Sequence, residues 1–423
     1  MMRIIAFMAA LSTVAAAVSC ISDSPAEGDV LDHWTADAAV KDLPAVDFTP
    51  GPKPQTLPLF DQDTIVRFDL TFTPAAWNSL MDCWRNPSPG VRDGTQKCYV
   101  HCGFAFGDEG FEDAACRPKG NPEAWSEQDK PQFIVRFNKW DKSGRFRGMR
   151  RLNLEANPNG GVPIRDRLGM WLMRQSGIDA SRVNDAVVTV NGENYGLYMN
   201  IETLDQEFLD THFDYPDGNL YSDGPKLETN EKANDISDVD AWDEQIMDEP
   251  LGVDHTSFAE TLSAMMDVDQ MLRVMAAEIV LPTVDNLKDG GGNFYLYHHP
   301  VRGFLVLPWD LDDIFSKTFS GPDQPFDACR GPVDLSTEPS KICQLVHDHP
   351  PWREKLVQDV IEIRDQVYAL IPDKVDDYCA QVRDEFAKDP FQSYGMDDFD
   401  ADCKYIKDYV ASRTAYLKDY LGR

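Results

Sequence analysis

The residues best suited to chemistry form a short acidic run, Asp310-Leu311-Asp312-Asp313, which directly follows an apolar segment. Successive side chains of an extended chain alternate in direction, so Asp310 and Asp312 point to the same side. Two converging carboxylates are hard oxygen ligands that suit Mg²⁺, Mn²⁺ or Ca²⁺. The alternative is an acidic loop without a ligand, because the whole chain is acidic. The run is thus a candidate metal site.

A second candidate segment, Val284–Asn293, combines acidic residues with three consecutive glycines and a terminal amide. Asp285 could accept a proton from a substrate hydroxyl, and Asn293 could act as a neutral metal ligand. Backbone N–H groups at the glycines could approach phosphate oxygens. The alternative is a plain turn, because Asp, Gly and Asn are the usual turn residues. The segment becomes a stronger candidate for a functional site only when its predicted neighbours in the fold are considered.

The predicted elements bring these two segments together. Apolar runs predict strands at Phe294–Tyr297 and Phe304–Leu307, joined as a hairpin. Asn293 begins the first strand and Asp310 follows the second, so both are expected at the same end of the hairpin. A loop Asp, then an Asn, a hairpin and a metal-binding Asp is the order that protein kinases use for phosphoryl transfer.

The remaining pattern predicts an α+β fold. Strands come first, a helix at Ile164–Ser176 and further strands follow, and the chain is helical from about Trp352 onward. Separate runs of strands and helices are typical of this class. The other predicted strands are Thr64–Phe72, Gln132–Phe137, Arg151–Glu155, Ala186–Val190 and Tyr195–Ile201.

The ordered motifs resemble those of the CotH family, spore-coat protein H and its relatives, which are atypical secreted protein kinases. Pro308-Trp-Asp-Leu-Asp312 after a hairpin is the most specific marker. The resemblance implies a divergent protein-kinase-like fold with β-hairpins and a helical C-terminal part. It also implies binding of ATP with Mg²⁺ or Mn²⁺ and phosphorylation of serines. The other matching segments, between about residues 60 and 380, are Arg151-Leu-Asn-Leu154, Ile164-Arg-Asp-Arg-Leu168, Val190-Asn-Gly192, Gly196-Leu-Tyr198, Glu202, Asn219-Leu-Tyr221, Asp285 and Asn293-Phe-Tyr-Leu-Tyr297.

The resemblance assigns roles by position in the chain. Asp285 matches the catalytic Asp, although the wide gap to Asn293 leaves Asp289 as an alternative. Asn293 and Asp310 match the metal-binding residues. Asp312 is expected to be a further carboxylate that binds a second metal or supports the first.

Nucleotide contacts are harder to assign because no lysine lies in the strand before the Ile164–Ser176 helix. Arg150 or Arg151 is expected to contact phosphate instead, although Arg and Lys are not interchangeable. Glu202 is a candidate nucleotide contact, and the alternative is a helix cap. Asp166 is the nearest acidic residue on the helix that could pair with the phosphate-binding cation.

The first residues predict export. Arg3 and the apolar run Ile4–Ala17 have the form of a secretory signal that is too short to span a membrane comfortably. Ala17-Val-Ser-Cys20 resembles a lipoprotein box, which predicts a signal peptide at residues 1–20 and a lipid on Cys20. The protein would then be anchored in the bacterial cell envelope or at the cell surface; an ordinary signal peptide is the alternative. Residues 21–57 are predicted to be a flexible acidic and Pro-rich linker, and residues 58–423 the kinase-like domain.

The cysteines fit an exported protein. The chain has nine, and eight remain when Cys20 is set aside, which predicts up to four disulfides, two within each group of four. A zinc site around Cys98 and His101 is the alternative for one group. Residues 83–125 are predicted to form a Cys-rich surface insertion. The two groups are Cys83, Cys98, Cys102 and Cys116, and Cys329, Cys343, Cys379 and Cys403.

Charge narrows the class of partner. The chain has 72 acidic and 40 basic residues, for a net charge of −32, which argues against a nucleic-acid binder. Membrane contact is expected through the lipid anchor only. The expected partners are ATP and a protein substrate with Ser-rich segments, and the acidic charge of the chain favours basic ones. The alternative function is a catalytically inactive cell-surface structural or adhesion protein whose Asp cluster binds Ca²⁺.

Overall fold

The first half of the described chain folds into a closed β-barrel, and the last part is helical. The computed structural model describes residues 57–125, 128–156, 161–222, 224–247, 255–318, 320–329, 340–392 and 394–423. They belong to one unit, Leu43–Arg423. Cys20 and nearly all of the predicted linker lie outside the described residues, so both stay predictions. Within the described ranges, no helix combines the length and apolar character needed to cross a membrane.

Alternation of apolar and polar residues builds the barrel wall. Its strands are β1 (Val66–Thr71), β2 (Val100–Phe106), β3 (Glu109–Pro118), β4 (Phe133–Arg136), β5 (Arg151–Glu155), β6 (Val183–Val190) and β7 (Glu193–Ile201). In β1, Val66, Phe68 and Leu70 are buried and the residues between them are exposed, as expected for a strand with one face on a core. The neighbours run β1-β2-β3-β4-β5-β7-β6, and β1 closes the barrel by pairing in parallel with β6.

The Cys-rich segment 83–125 is not a surface insertion, contrary to the prediction. It contains β2 and β3, which are neighbours in the barrel wall. The strand character of β3 is hard to recognise because two of its inward positions are the small residues Ala114 and Cys116, both fully buried. Bulky β-branched residues, the usual signal of a strand, are missing there.

A second sheet carries the predicted hairpin. Its strands are β8 (Asn219–Ser222), β9 (Lys226–Leu227), β10 (Phe294–His299) and β11 (Gly303–Pro308), in the order β11-β10-β8-β9. The hairpin is confirmed, because β10 and β11 pair antiparallel from Phe294↔Pro308 to His299↔Gly303. A hydrogen bond from Trp309 N to Asn293 O (3.1 Å) extends the pairing by one residue. Asn293 and the acidic run therefore begin at the same end of the hairpin.

Helices connect and cover the two sheets. They are α1 (Pro74–Arg85), α2 (Pro89–Arg92), α3 (Arg165–Gln175), α4 (Gln206–His212), α5 (Ser237–Trp242), α6 (His255–Met265), α7 (Val268–Val280), α8 (Lys341–Asp348), α9 (Pro350–Glu362), α10 (Ile371–Phe386) and α11 (Met396–Leu421). Single π-helical turns lie at Asp243–Met247 and Ile363–Val367. Helix α7 is capped by Asp267, whose side chain accepts a hydrogen bond from Gln270 N, and it ends shortly before the second candidate segment.

The fold class is α+β, as predicted. Four disulfides cross-link the described chain. They are Cys83–Cys98, Cys102–Cys116, Cys329–Cys343 and Cys379–Cys403, two within each group. Because Cys98 and Cys102 are both bonded to other cysteines, neither can supply the thiolate that a zinc site requires. The Cys379–Cys403 disulfide joins α10 to α11.

Replacing both Cys379 and Cys403 by Ser should lower the melting temperature, because their disulfide restricts the unfolded chain across a separation of 24 residues. We expect a loss of about 3 kcal/mol in the free energy of unfolding, measured by denaturant titration. Ala411→Ser, an exposed change on α11, is the control and should leave the stability unchanged. An unchanged melting temperature in the double variant would contradict this role.

Candidate functional site

Three strand ends bring charged side chains together. Glu155 is the last residue of β5, Lys119 directly follows β3, and Asp310 and Asp312 follow β11. One carboxylate oxygen from each of Glu155, Asp310 and Asp312 lies within 4.8 Å of the others, and we call these three residues the acidic cluster. Lys119 Nζ donates a hydrogen bond to Glu155 Oε2. The site thus combines three carboxylates with one ammonium group.

A buried carboxylate from helix α3 supports the acidic cluster. Asp166 lies in the first turn of α3 and is fully buried. Its Oδ1 accepts a hydrogen bond from Leu311 N (2.8 Å), between the two aspartates of the cluster. Its Oδ2 is buried and has no hydrogen-bond partner among the described residues. Because such an oxygen is costly to leave unsatisfied, it is well suited to a bound cation or to a water on that cation.

Close packing holds the acidic run in place. Leu311 is buried against Gly169 of α3, where a Cβ atom would lie 2.9 Å from Leu311 Cβ, so the approach requires glycine. Asp310 adopts a φ of +57°, a conformation that residues with side chains rarely adopt. Backbone strain of this kind concentrates at functional sites.

Burial, together with repulsion between neighbouring carboxylates, raises the pKa of two carboxyl groups at this site, those of Asp312 and Asp166. Burial, followed by the charges of Asp310 and Glu155, raises the pKa of Asp312 well above its ordinary value. Burial and the neighbouring Glu155 raise the pKa of Asp166 in the same way. Burial disfavours the charged form of Lys119, but Glu155 and Asp310 outweigh that effect and raise its pKa. A set of oxygen ligands with excess negative charge fits Mg²⁺ or Mn²⁺.

The second candidate segment forms a tight loop beside the acidic run. Asn293 N donates to Asp285 O (2.6 Å), and Gly291 N donates to Asn286 O (2.9 Å). Asn286 N donates to Asp289 Oδ1 (2.9 Å), and Asp289 N donates to Asn286 Oδ1 (3.0 Å). Asp289 therefore stabilises the loop itself, whereas Asp285 has the unusual φ of +59°.

Hydrogen bonds tie this loop to the acidic run. Asp313 accepts from Thr283 Oγ1 (2.6 Å) and from Val284 N (3.1 Å). Burial raises the pKa of Asp313 to about 7, against the effect of these two hydrogen bonds. Asn293 Nδ2 lies 3.5 Å from Asp310 O. The loop and the run thus form one site, as their positions beside the hairpin predict.

The two arginines expected to contact phosphate pair with other carboxylates. Arg150 Nε lies 3.0 Å from Asp205, and Arg151 lies 3.2 Å from both Asp205 and Glu228. Burial disfavours the charge of Arg151, but Asp205 and Glu228 outweigh that effect and raise its pKa. These ion pairs join β5 to the neighbourhood of α4 and β9, and the structure does not bring either guanidinium into the acidic cluster.

Glu202 is a buried partner of Arg182. It is fully buried, and its Oε2 accepts hydrogen bonds from Arg182 N (3.0 Å) and Arg182 Nε (2.9 Å) and lies 3.2 Å from His212 Nε2. The helix-cap alternative is wrong, because Asp205 caps α4 by accepting from the backbone N–H groups of the first turn. The carboxylate of Glu202 thus holds Arg182 and His212 next to the end of β7.

Sequence reasoning missed Lys119 and Glu155 as site residues. Lys119 follows β3 within residues 83–125, the segment predicted to be an insertion. Its position at the edge of the barrel is therefore not evident from the sequence. Glu155 ends a strand that is predicted correctly, and a carboxylate at the end of a buried strand is the signal that identifies it. Asp166, considered as a partner for the phosphate-binding cation, interacts electrostatically with Lys119 and also lies beside the acidic cluster.

Comparison with known proteins places the chain in a family. A family model described as CotH kinase protein matches residues 117–417. Inner spore coat protein H of Bacillus subtilis (strain 168) is 23% identical over 297 residues, which cover 66% of this chain and 80% of that protein. A solved complex of HipA, HipB and operator DNA from a Shewanella oneidensis MR-1 toxin–antitoxin system aligns with a TM-score of 0.31 and 16% identity, over 64% of this chain. The chain spans 58% of the chain in that complex. The matched range of the family model includes the acidic cluster and Lys119.

Adding Mn²⁺ or Mg²⁺ should raise the melting temperature, because a divalent cation offsets the repulsion within the acidic cluster. At an ion concentration 100 times the Kd, the gain is about 2.7 kcal/mol. Asp312→Asn removes a ligand and should lose most of this shift in a thermal-shift assay. Asp397→Asn, an exposed change on α11, should respond like wild type. A full shift in Asp312→Asn would place the metal elsewhere.

The hydrogen bonds that Glu202 accepts predict a loss of stability in acid. Burial disfavours the carboxylate, but hydrogen bonds from His212 and Arg182 outweigh it and lower the pKa of Glu202 to about 2, from an ordinary value of 4.5. Because the folded pKa is the lower one, the stabilisation is complete above pH 4.5 and is lost as the pH falls toward 2.

The melting temperature of wild type should therefore fall more steeply across that window than that of Glu202→Gln, which lacks the titrating group. Glu112→Gln, at an exposed position, is the matched control and should follow wild type. Parallel curves for wild type and Glu202→Gln would show that this ion pair does not contribute.

Proposed function

The chain belongs to the CotH family, and from that membership and the site we propose that it is a protein kinase. It would transfer the γ-phosphoryl group of ATP to a serine or threonine hydroxyl of an exported protein. The observation that carries this proposal is the position of Lys119, whose ammonium group contacts Glu155 beside Asp310 and Asp312. Phosphoryl transfer needs a cation for phosphate oxygens and carboxylates for a metal in the same place.

The same observation argues against the Ca²⁺ scaffold as the main function. Calcium sites are built from oxygen ligands, and their affinity depends on ligand charge. The ammonium group of Lys119 neutralises part of that charge at Glu155 and occupies one of its oxygens. A lysine in this position is useful when a further anion, such as a phosphate group, joins the site.

Each charged residue near the acidic run has a role in this proposal. Asp310 and Asp312 would hold Mg²⁺ or Mn²⁺, with Asn293 as a neutral ligand. The ion, when bound, neutralises charge on the phosphate oxygens. Lys119 would donate to a phosphate oxygen, and Glu155 would hold the lysine in position for that contact.

Asp285 would orient the acceptor hydroxyl. Asp285 is exposed, so an acceptor hydroxyl can reach its carboxylate, and partial burial raises its pKa. The hydroxyl oxygen forms a bond to the γ-phosphorus, the bond to the bridging oxygen breaks, the hydroxyl proton moves to Asp285, and ADP leaves. Asp289 is less suited to this role, because burial leaves it only 6% exposed and it already accepts a hydrogen bond from Asn286 N.

We propose that this chemistry takes place outside the cytoplasm. The disulfides fit an oxidising compartment. The predicted signal peptide and a lipid on Cys20 would keep the enzyme in the cell envelope or at the cell surface. The name of the Bacillus relative assigns that protein to the inner spore coat. For this chain, we propose Ser-rich envelope or surface proteins as substrates.

Purified protein should incorporate labelled phosphate from ATP into itself or into a Ser-rich acceptor when Mg²⁺ or Mn²⁺ is present. Asp310→Asn removes a metal ligand and Lys119→Met removes the phosphate donor. Each should lower the initial rate by a factor of about 100 or more, because electrostatic stabilisation is the main contribution to this kind of reaction.

Asp397→Asn and Lys142→Met are the matched controls, since both change the same charges at exposed positions. They should keep the wild-type rate. Full activity in Asp310→Asn, or no incorporation by wild type with either ion, would contradict the proposed function.

A further inference from the structure

The loop at residues 285–293, which we call the catalytic loop, is attached to the Cys329–Cys343 disulfide. Ser340 Oγ donates a hydrogen bond to Leu287 O (3.2 Å), and Ser340 N donates to Cys329 O (2.7 Å). The same hydroxyl accepts the hydrogen bond from Cys343 N (3.3 Å) that caps α8. Ser340 therefore connects the catalytic loop with both cysteines of the disulfide.

A buried lysine makes a second attachment on the other side of the disulfide. Lys288 is 2% exposed, and its Nζ donates to the carbonyl oxygen of Ala328 (2.9 Å), the residue before Cys329. Asp289 and Glu278 provide the opposite charge that a buried ammonium group needs. The backbone N–H of Lys288 also donates to Glu278 Oε2 (3.1 Å) on α7. The loop is thus held between α7 and the disulfide.

The disulfide fixes the positions of Ala328 and Ser340, the two attachment points, relative to each other. Ala328 binds Lys288 and Ser340 binds Leu287, so the two flanks of the disulfide contact consecutive residues of the catalytic loop. Cys329 and Cys343 are 14 residues apart in the chain. Without the covalent bond, noncovalent contacts alone would have to bear the entropic cost of holding the flanks together.

We infer that closure of the Cys329–Cys343 disulfide sets the catalytic loop in its working geometry, so that the kinase becomes active only after export. This inference rests on the proposed function. The two thiols together transfer two electrons and two protons to a disulfide donor, which is reduced to a dithiol, while the bond between the Sγ atoms forms.

In the reducing cytoplasm the two cysteines stay as thiols, and the disulfide that positions the catalytic loop is absent. A displacement of about 1 Å at Asp285 would cost about 100-fold in rate, because the acceptor hydroxyl must be aligned with the γ-phosphorus. Without the disulfide the enzyme is inactive in the cytoplasm, where unrelated proteins are abundant, and with the disulfide formed it is active in the compartment of its protein substrates.

The test compares two double variants of the whole chain. Cys329→Ser/Cys343→Ser should raise hydrogen exchange at the Gly291 and Asn293 amides about tenfold. It should also lower kcat about 100-fold, with a smaller change in the KM for ATP. Cys83→Ser/Cys98→Ser removes a disulfide between α1 and the segment before β2, and should leave both readouts unchanged.

A single change at Ser340 tests the same attachment with every disulfide intact. Ser340→Ala removes the hydrogen bond to Leu287 O and should raise amide exchange in the loop and lower kcat, each to a smaller extent. Ser340→Thr keeps a hydroxyl group and should restore both values toward wild type. This variant pair remains informative if loss of the disulfide unfolds the protein.

The outcomes separate the inference from the proposed function. Unchanged exchange at Gly291 and Asn293 without the disulfide overturns the inference, and so does raised exchange with an unchanged kcat. If wild type incorporates no phosphate although its loop amides are protected, the proposed function fails. The exchange data then decide whether the disulfide braces the loop.

Discussion

Concentrated negative charge is the constraint on which the rest of the site depends. The carboxylates of Glu155, Asp310 and Asp312 meet within 4.8 Å, and Asp166 lies beside them. Like charges so close together repel strongly where burial lowers the effective dielectric constant. Lys119 offsets one of these charges. The remaining excess is what a metal ion with a nucleotide would neutralise, so the chemistry and the electrostatic cost have the same origin.

Such a cluster persists only because several elements hold its members independently. The barrel supplies Lys119 and Glu155 from the ends of β3 and β5, and α3 supplies Asp166. The hairpin delivers the acidic run, and the packing of Leu311 on Gly169 fixes that run against α3. Disulfides brace the outer parts of this scaffold. The catalytic loop, by contrast, is attached through hydrogen bonds, and two of them go to Ala328 and Ser340, which flank the Cys329–Cys343 disulfide.

The parts of the site that are close in sequence could be predicted, and the parts that tertiary pairing assembles could not. Asp285, Asn293 and Asp310 flank a hairpin whose apolar strands are easy to recognise, and the structure brings them together as their order indicates. Lys119 joins them only through the barrel, whose strand β3 lacks the bulky residues that usually reveal a strand. The side chain of Arg151 is suited to binding phosphate, but in the structure it forms ion pairs with Asp205 and Glu228, which are distant in sequence.

The class of the fold and the grouping of the disulfides could also be predicted, because strand patterns, helix periodicity and cysteine parity are local properties. The role of residues 83–125 in the barrel could not, because glycines and cysteines there are equally typical of a surface insertion. Between Asp285 and Asp289, residue type does not decide. The reciprocal hydrogen bonds of Asp289 with Asn286 favour Asp285 as the residue that faces substrate.

The most direct measurement is the position of a metal ion in crystals grown with Mn²⁺ and a non-hydrolysable ATP analogue, located by anomalous scattering. We predict a peak about 2.1 Å from carboxylate oxygens of Asp310 and Asp312, with a phosphate oxygen within hydrogen-bonding distance of Lys119 Nζ. A metal peak outside the acidic cluster, or a nucleotide bound without contact to Lys119, would contradict a kinase site at this position.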